Sequence, residues 1–282
     1  MASTEARSRL PTRVRLDERA MYLRELVLDT LEGGARGHVG STLSLMEILR
    51  VLYDDVMRYR VEDPKWEGRD RFILSKGHGC IAQYVLLADK GFIGRDELRT
   101  FCRSGSRLGG HPEAGKIPGV EASTGALGHG LPIGVGMAMA LRIKRSDARV
   151  FVVCGDGEIN EGSVWEAAMH AAKHRLDNLV VVVDYNKIQS AGFTRDILDL
   201  EPLLDKWRAF GFAAADVDGH DVTALRDIFG RLPANAGRPT AIVCHTVKGR
   251  GIANCENDPT WHHKSAINKD MAAMLRAGLE RN

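Results

Sequence analysis

A chain of 282 residues with 39 Lys+Arg against 37 Asp+Glu is close to neutral, which excludes a broad phosphate-tracking surface for nucleic acid. With 44% hydrophobic and 27% charged residues it has the composition of a globular protein, long enough to bury a core without disulfide or metal staples. Its longest apolar runs, such as Leu179 to Val183, have a strand's length and fall far short of the ~20 residues a bilayer requires, so no membrane span is expected.

The first 16 residues are Arg-rich without a signal peptide's apolar core, and read as a loose tail over residues 1–15 ahead of one domain over 16–282. Leu16 to Leu31 carries apolar residues at helical spacing and stops at Gly33-Gly34. Ser44, with Glu47 three positions on, forms a capping box for a second helix from Leu45 to Tyr53. Small and apolar residues from Gly128 to Arg142 suit a closely packed helix, and Ser163 to His174 patterns as another. Val150 to Cys154, Leu179 to Asp184 and Ala241 to His245 are unbroken Val- and Ile-rich runs. Such runs imply strands buried on both faces, hence an α/β fold: a parallel sheet with helices on both faces. The five cysteines, Cys80, Cys102, Cys154, Cys244 and Cys255, contain no Cys-x-x-Cys pair, which favours a reducing cytoplasm.

In this kind of sheet, ligands bind at the carboxyl ends of the strands. One strand runs into Gly155-Asp156-Gly157-Glu158, and the next ends at Asp184-Tyr185-Asn186-Lys187-Ile188. Asp156 and Asn186 lie one βαβ unit apart, so a carboxylate and an amide oxygen at neighbouring strand ends can share a hard cation such as Mg²⁺. The flanking glycines let the backbone approach a pyrophosphate at a helix N-terminus. A dinucleotide fingerprint is spoiled by Asn160 at the third glycine position, although Asp184 stands where a ribose-binding acid would. A phosphate loop at Gly110 to Lys116 is spoiled by Ile117. His38, His78 and His111 adjoin glycine, and His262 and His263 follow Trp261; imidazoles so placed can face a cleft and move protons near neutral pH. His170 and His174 lack the acid of a zinc pair, and with His220 and His245 they read as structural.

Taken in order, Gly37-His38-Val39-Gly40-Ser41, Asp70 through Gly79, Gly110-His111-Pro112-Glu113, Thr124 through Gly128, Gly155-Asp156-Gly157 with Glu161-Gly162, and Asp184 through Ile188 form a specific set. With it the chain, from about Arg15 to Ser265, resembles the N-terminal, diphosphate-binding domain of transketolase, a thiamine diphosphate enzyme. The resemblance implies the thiamine diphosphate-binding fold, with Mg²⁺ or Ca²⁺ held by Asp156, Asn186 and the Ile188 carbonyl. It places His78, Gly125, Ala126, Leu127, Gly155, Gly157 and Glu158 beside the cofactor. His38, His111 and His262 would line the sugar channel, and Glu161 would join an acidic network at a subunit interface. It further implies transfer of a two-carbon ketol unit from a ketose, or ketose phosphate, to an aldose, with the cofactor as electron sink.

Three departures from the family pattern stand out. Ala126 and His129 replace residues common in that loop, and His263 follows His262 where glycine is usual, which leaves open which of the two faces the site. No pyrimidine-binding domain fits after Ser265, so a second, C-terminal polypeptide is expected to supply it, in an α2β2 assembly. A deoxyxylulose-phosphate synthase-like or 2-oxoacid dehydrogenase α-like subunit, and a non-catalytic cofactor-binding subunit, are the alternatives.

Overall fold

The computed structural model describes residues 15–279, so the tail expected over 1–15 lies outside it apart from Arg15. The strands are β1 (Arg71–Leu74), β2 (Val150–Gly155), β3 (Leu179–Tyr185), a short hairpin of β4 (Ile188–Gln189) and β5 (Gly192–Phe193), β6 (Ala213–Asp218) and β7 (Thr240–His245). β1, β2, β3, β7 and β6 lie side by side in that order, all parallel. Around them run α1 (Glu18–Gly34), α2 (Val39–Leu43), α3 (Met46–Val51), α4 (Cys80–Lys90), α5 (Gly130–Ile143), α6 (Gly162–Lys173), α7 (Thr194–Ile197), α8 (Leu203–Ala209), α9 (Val222–Gly230) and α10 (Lys269–Ala277). Among the described residues, no helix is long and apolar enough to cross a membrane.

The unbroken apolar runs explain the layering. Successive side chains of a strand point to opposite faces, so Phe151, Val153, Val180 and Val182 enter one core with α1, α3 and α4. Val150, Val152, Val181 and Val183 enter the other, with α5 and α6. The register sets Gly155 opposite Asp184, and Asp184 opposite Cys244, so the ends of β2, β3 and β7 are level. The 150–155, 179–184 and 241–245 strands, and the helices near 130–142 and 163–174, stand as the sequence predicts to within a few residues.

The capping box does not form. α1 is capped by Asp17, whose Oδ1 accepts the Ala20 N–H at 2.8 Å. α3 has no side-chain cap, and it passes into a π turn at Leu52–Val56. Ser44 donates instead to Asp184 Oδ2 at 2.6 Å, and Glu47 binds Arg24 and His220. Both side chains are buried, where an ion or its partner outcompetes a solvent-exposed cap.

Candidate active site

The ends of β2 and β3 meet at Asp156. Its Oδ1 accepts the Gly157 N–H at 2.8 Å and its Oδ2 the Lys187 N–H at 2.5 Å, so the carboxylate is clamped between both strand ends. Asn186 Oδ1 accepts the Ile188 N–H at 3.1 Å, and the Ile188 carbonyl accepts from Lys248 Nζ at 2.6 Å. A cavity of about 110 Å³ opens here, walled by Gly155, Asp156, Gly157, Glu158, Asn186 and Ile188, with His78, Leu127 and His262 around it. A Cβ on Gly157 would lie 2.7 Å from Gln189 Cβ, so only glycine lets these two segments close on each other. A larger cavity of about 340 Å³ lies beside Tyr185, Glu201 and His245, but it collects none of the strand-end residues except Tyr185 and His245.

Two lysines that composition and spacing did not single out complete the wall: Lys76, just after β1, and Lys248, just after β7. Lys76 Nζ reaches Asp184 Oδ2 at 2.5 Å and Ser44 Oγ at 3.2 Å. Lys248 Nζ also donates to His262 Nδ1 at 2.8 Å. Burial and then the Lys76 charge lower the Lys248 pKa, while burial and then Asp184 raise the Asp156 carboxyl. Gln189 Nε2, on the same wall, is buried with no hydrogen-bond partner among the described residues. A buried lysine leaves little trace in a composition; its signal was a lysine among glycines and apolar residues at a strand end.

Glu158, also on the cavity wall, is bonded to the backbone around it. Its carboxylate accepts Ser75 Oγ–H, the Gly155 N–H at 3.0 Å and the Gly128 N–H at 3.1 Å, pinning the Gly125–Gly128 loop to the end of β2. Within that loop Gly125 has φ +133°, and a Cβ there would meet His111 Cδ2 at 2.9 Å. Gly125 and Ala126 do not wall the cavity, whereas Leu127 does. Glu161 is exposed, outside the cavity and against Gly128.

Five imidazoles gather at the mouth. The His38 ring lies 5.1 Å from His78, 6.4 Å from His111, 5.6 Å from His262 and 4.5 Å from His263. His262 walls the cavity and His263 is exposed outside it. Burial, then the neighbouring cations, bring His262 down to about 3; burial and the other imidazoles do the same to His38, while burial lowers His78 and His111. Such groups bind fewer protons folded than unfolded, so their contribution is intact above about pH 6.5 and is lost as pH falls toward the folded values. Melting temperature should therefore fall between pH 6.5 and 5, less steeply in His38→Phe; equal slopes in the two proteins would refute this.

Residues 16–281 match the family described as "Transketolase, thiamine diphosphate binding domain". The chain is 44% identical over 250 residues to one subunit of the apulose-4-phosphate transketolase of Actinobacillus succinogenes, covering 88% of this chain and 90% of that one. It is 38% identical over 266 residues to 6-deoxy-6-sulfo-D-fructose transketolase subunit SqwG of a Clostridium species, covering 94% and 96%. It superposes on transketolase from Leishmania mexicana with TM-score 0.83 at 32% identity, covering 94% of this chain and 44% of that larger one. The chain belongs to the transketolase family, as its thiamine diphosphate binding domain. As a transketolase subunit, it forms part of a transferase.

Proposed function

We propose that this chain acts as the N-terminal, diphosphate-binding subunit of a two-polypeptide transketolase, moving a two-carbon ketol unit from a ketose to an aldose. A separate pyrimidine-domain subunit completes the site, in an α2β2 assembly. The carrying observation is Asp156 and Asn186 at adjoining strand ends, with two buried lysines facing the same small cavity. The donor set of one carboxylate, one amide and one carbonyl is all oxygen, which suits Mg²⁺ or Ca²⁺. Gln189 Nε2, without a partner among the described residues, and the third N–H of Lys248, beyond its bonds to Ile188 and His262, are donors open to diphosphate oxygens.

When bound, thiamine diphosphate supplies the electron sink for the transferred carbons. The chain's own residues bind, orient and handle protons. Asp156, Asn186 and the Ile188 carbonyl would hold the cation, next to the Lys248 ammonium that reaches the same carbonyl. His38, His111 and His262, kept neutral, can accept a proton from a sugar hydroxyl or return one through a ring N–H. Leu127, Ile133 and Met169 are exposed apolar side chains on and beside α5 and α6, fit for the partner subunit, with Glu161 at their edge. The named relatives act on a sugar phosphate and a sulfosugar, so an anionic ketose is the donor proposed here. Five free thiols, four of them buried, suit a reducing cytoplasm.

Two-carbon transfer measured with the chain alone, with its pyrimidine-domain partner alone and with their mixture should appear in the mixture only. Robust transfer by the chain alone would overturn the two-polypeptide reading. Failure of the mixture to bind thiamine diphosphate with Mg²⁺ would overturn the cofactor reading.

A further inference from the structure

Three buried ionisable side chains take no part in the site described above: Arg24 on α1, Glu47 on α3 and His220 before α9. Arg24 Nη1 and Nη2 donate to the two Glu47 oxygens at 2.6 and 3.1 Å. Burial alone would raise the Glu47 carboxyl, but the Arg24 charge and His220 hold it well below the usual carboxylate range. A buried ion pair is weak support for stability, because desolvating both charges offsets their attraction. What this one touches is therefore the more informative observation.

The Val247 N–H donates to His220 Nε2 at 2.8 Å, so that nitrogen carries no proton. The ring proton then sits on Nδ1, which donates to Glu47 Oε2 at 2.8 Å. Arg24 Nε donates to the Arg250 carbonyl at 2.9 Å, and the Gly249 N–H to the Gly40 carbonyl at 3.1 Å. The backbone on both sides of Lys248 is thus tied to the buried cluster, while none of its three members walls the cavity. Lys248 alone passes from the clamped loop to the Ile188 carbonyl and His262.

We infer that Arg24, Glu47 and His220 form a relay that sets Lys248 for anion binding, which makes His220 a positioning residue for the diphosphate site. This rests on reading the cavity as that site. A clamped loop spares the lysine the cost of ordering when the anion arrives.

The test is calorimetric titration of the purified chain with magnesium pyrophosphate. His220→Asn keeps a donor for Glu47 but, being shorter, places no acceptor at the Nε2 position that meets the Val247 N–H. It should bind the probe about tenfold more weakly, in the range for lost supporting contacts around a bound ion. Lys248→Met should bind at least as weakly, and adding His220→Asn to it should cost nothing more, because both act through one group. An unchanged affinity in His220→Asn, with or without a lower melting temperature, overturns the relay. So does a deficit that persists in full on top of Lys248→Met. If His220→Asn does not fold, Arg24→Lys serves in the same cycle, since one ammonium nitrogen cannot span the positions of Nε, Nη1 and Nη2 that reach the Arg250 carbonyl and the two Glu47 oxygens. A wild-type chain that ignores magnesium pyrophosphate overturns the cavity reading itself, an outcome distinct from the relay's failure.

Discussion

Asp156→Ala should abolish magnesium-dependent binding of thiamine diphosphate, with affinity down at least a hundredfold, the upper end for disrupting a metal site's supporting shell alone. Asp156 is the one carboxylate of the proposed donor set, and the Gly157 and Lys187 N–H groups aim it. Burial and the Asp184 charge raise its carboxyl, and a carboxyl raised in the fold contributes stability that is complete at low pH and is lost as pH rises through its folded value. Near neutral pH the ionised side chain therefore burdens the empty fold, and a bound cation relieves it. Melting temperature read with and without Mg²⁺ and thiamine diphosphate should rise for the wild type and stay flat for the variant. Alanine leaves two part-buried N–H groups without their acceptor, at up to about 1–3 kcal/mol each, so Asp156→Asn is the gentler control, keeping one acceptor oxygen. Undiminished magnesium dependence in Asp156→Ala would remove Asp156 from the site.

That prediction draws on the part of the fold the sequence displays most openly. β2, β3 and β7 are central strands, and burial on both faces writes itself as unbroken Val and Ile. The edge strands carry no such mark. β6 begins Ala213-Ala214-Ala215, half-buried and as compatible with a helix as with a strand, and β1 is four residues long, opening on Arg71 directly after Asp70. The capping box failed for a related reason. Ser-x-x-Glu is a local pattern, but the partners of Ser44 and Glu47 are Asp184 and His220, 140 and 173 residues away, brought near only by the finished fold.

The site divides in the same way. Asp156, Asn186, Ile188 and His78 come from the ordered motifs and wall one cavity with His262; Lys76 lies inside the Asp70–Gly79 motif, and Lys248 and Gln189 lie outside all of them. Residue type in a motif shows what chemistry is possible. Which carbonyl a lysine reaches, as Lys248 reaches Ile188, depends on the level ends of three strands, and no spacing along the chain expresses that. His220 reads as structural from sequence, and its bonds are structural, yet they terminate on the loop that carries Lys248.

Lys76→Met should be the most destabilising single change at the site. Lys76 and Asp184 are both buried, and removing one partner of such a pair costs about 3–5 kcal/mol because the other charge is stranded. At about 2–4 °C per kcal/mol for a domain near this size, melting should fall by roughly 6–20 °C. The cause can be separated from simple loss of packing. Burial alone would raise the Asp184 carboxyl, and Lys76, with the hydroxyls of Ser44 and Thr246, brings it below the ordinary value. A depressed carboxyl supplies stability above its unfolded pKa that is lost as pH falls through the folded one. Without Lys76 the carboxyl rises, and the sign reverses: protonation in mild acid relieves the stranded charge. The gap in melting temperature between wild type and Lys76→Met should therefore be wide at pH 8 and narrower at pH 5. Lys76→Met with Asp184→Asn should recover part of the loss at pH 8 and show little of the pH trend. A gap of equal width at both pH values would mean that packing around the lysine stem, and not the Asp184 charge, holds this corner of the site together.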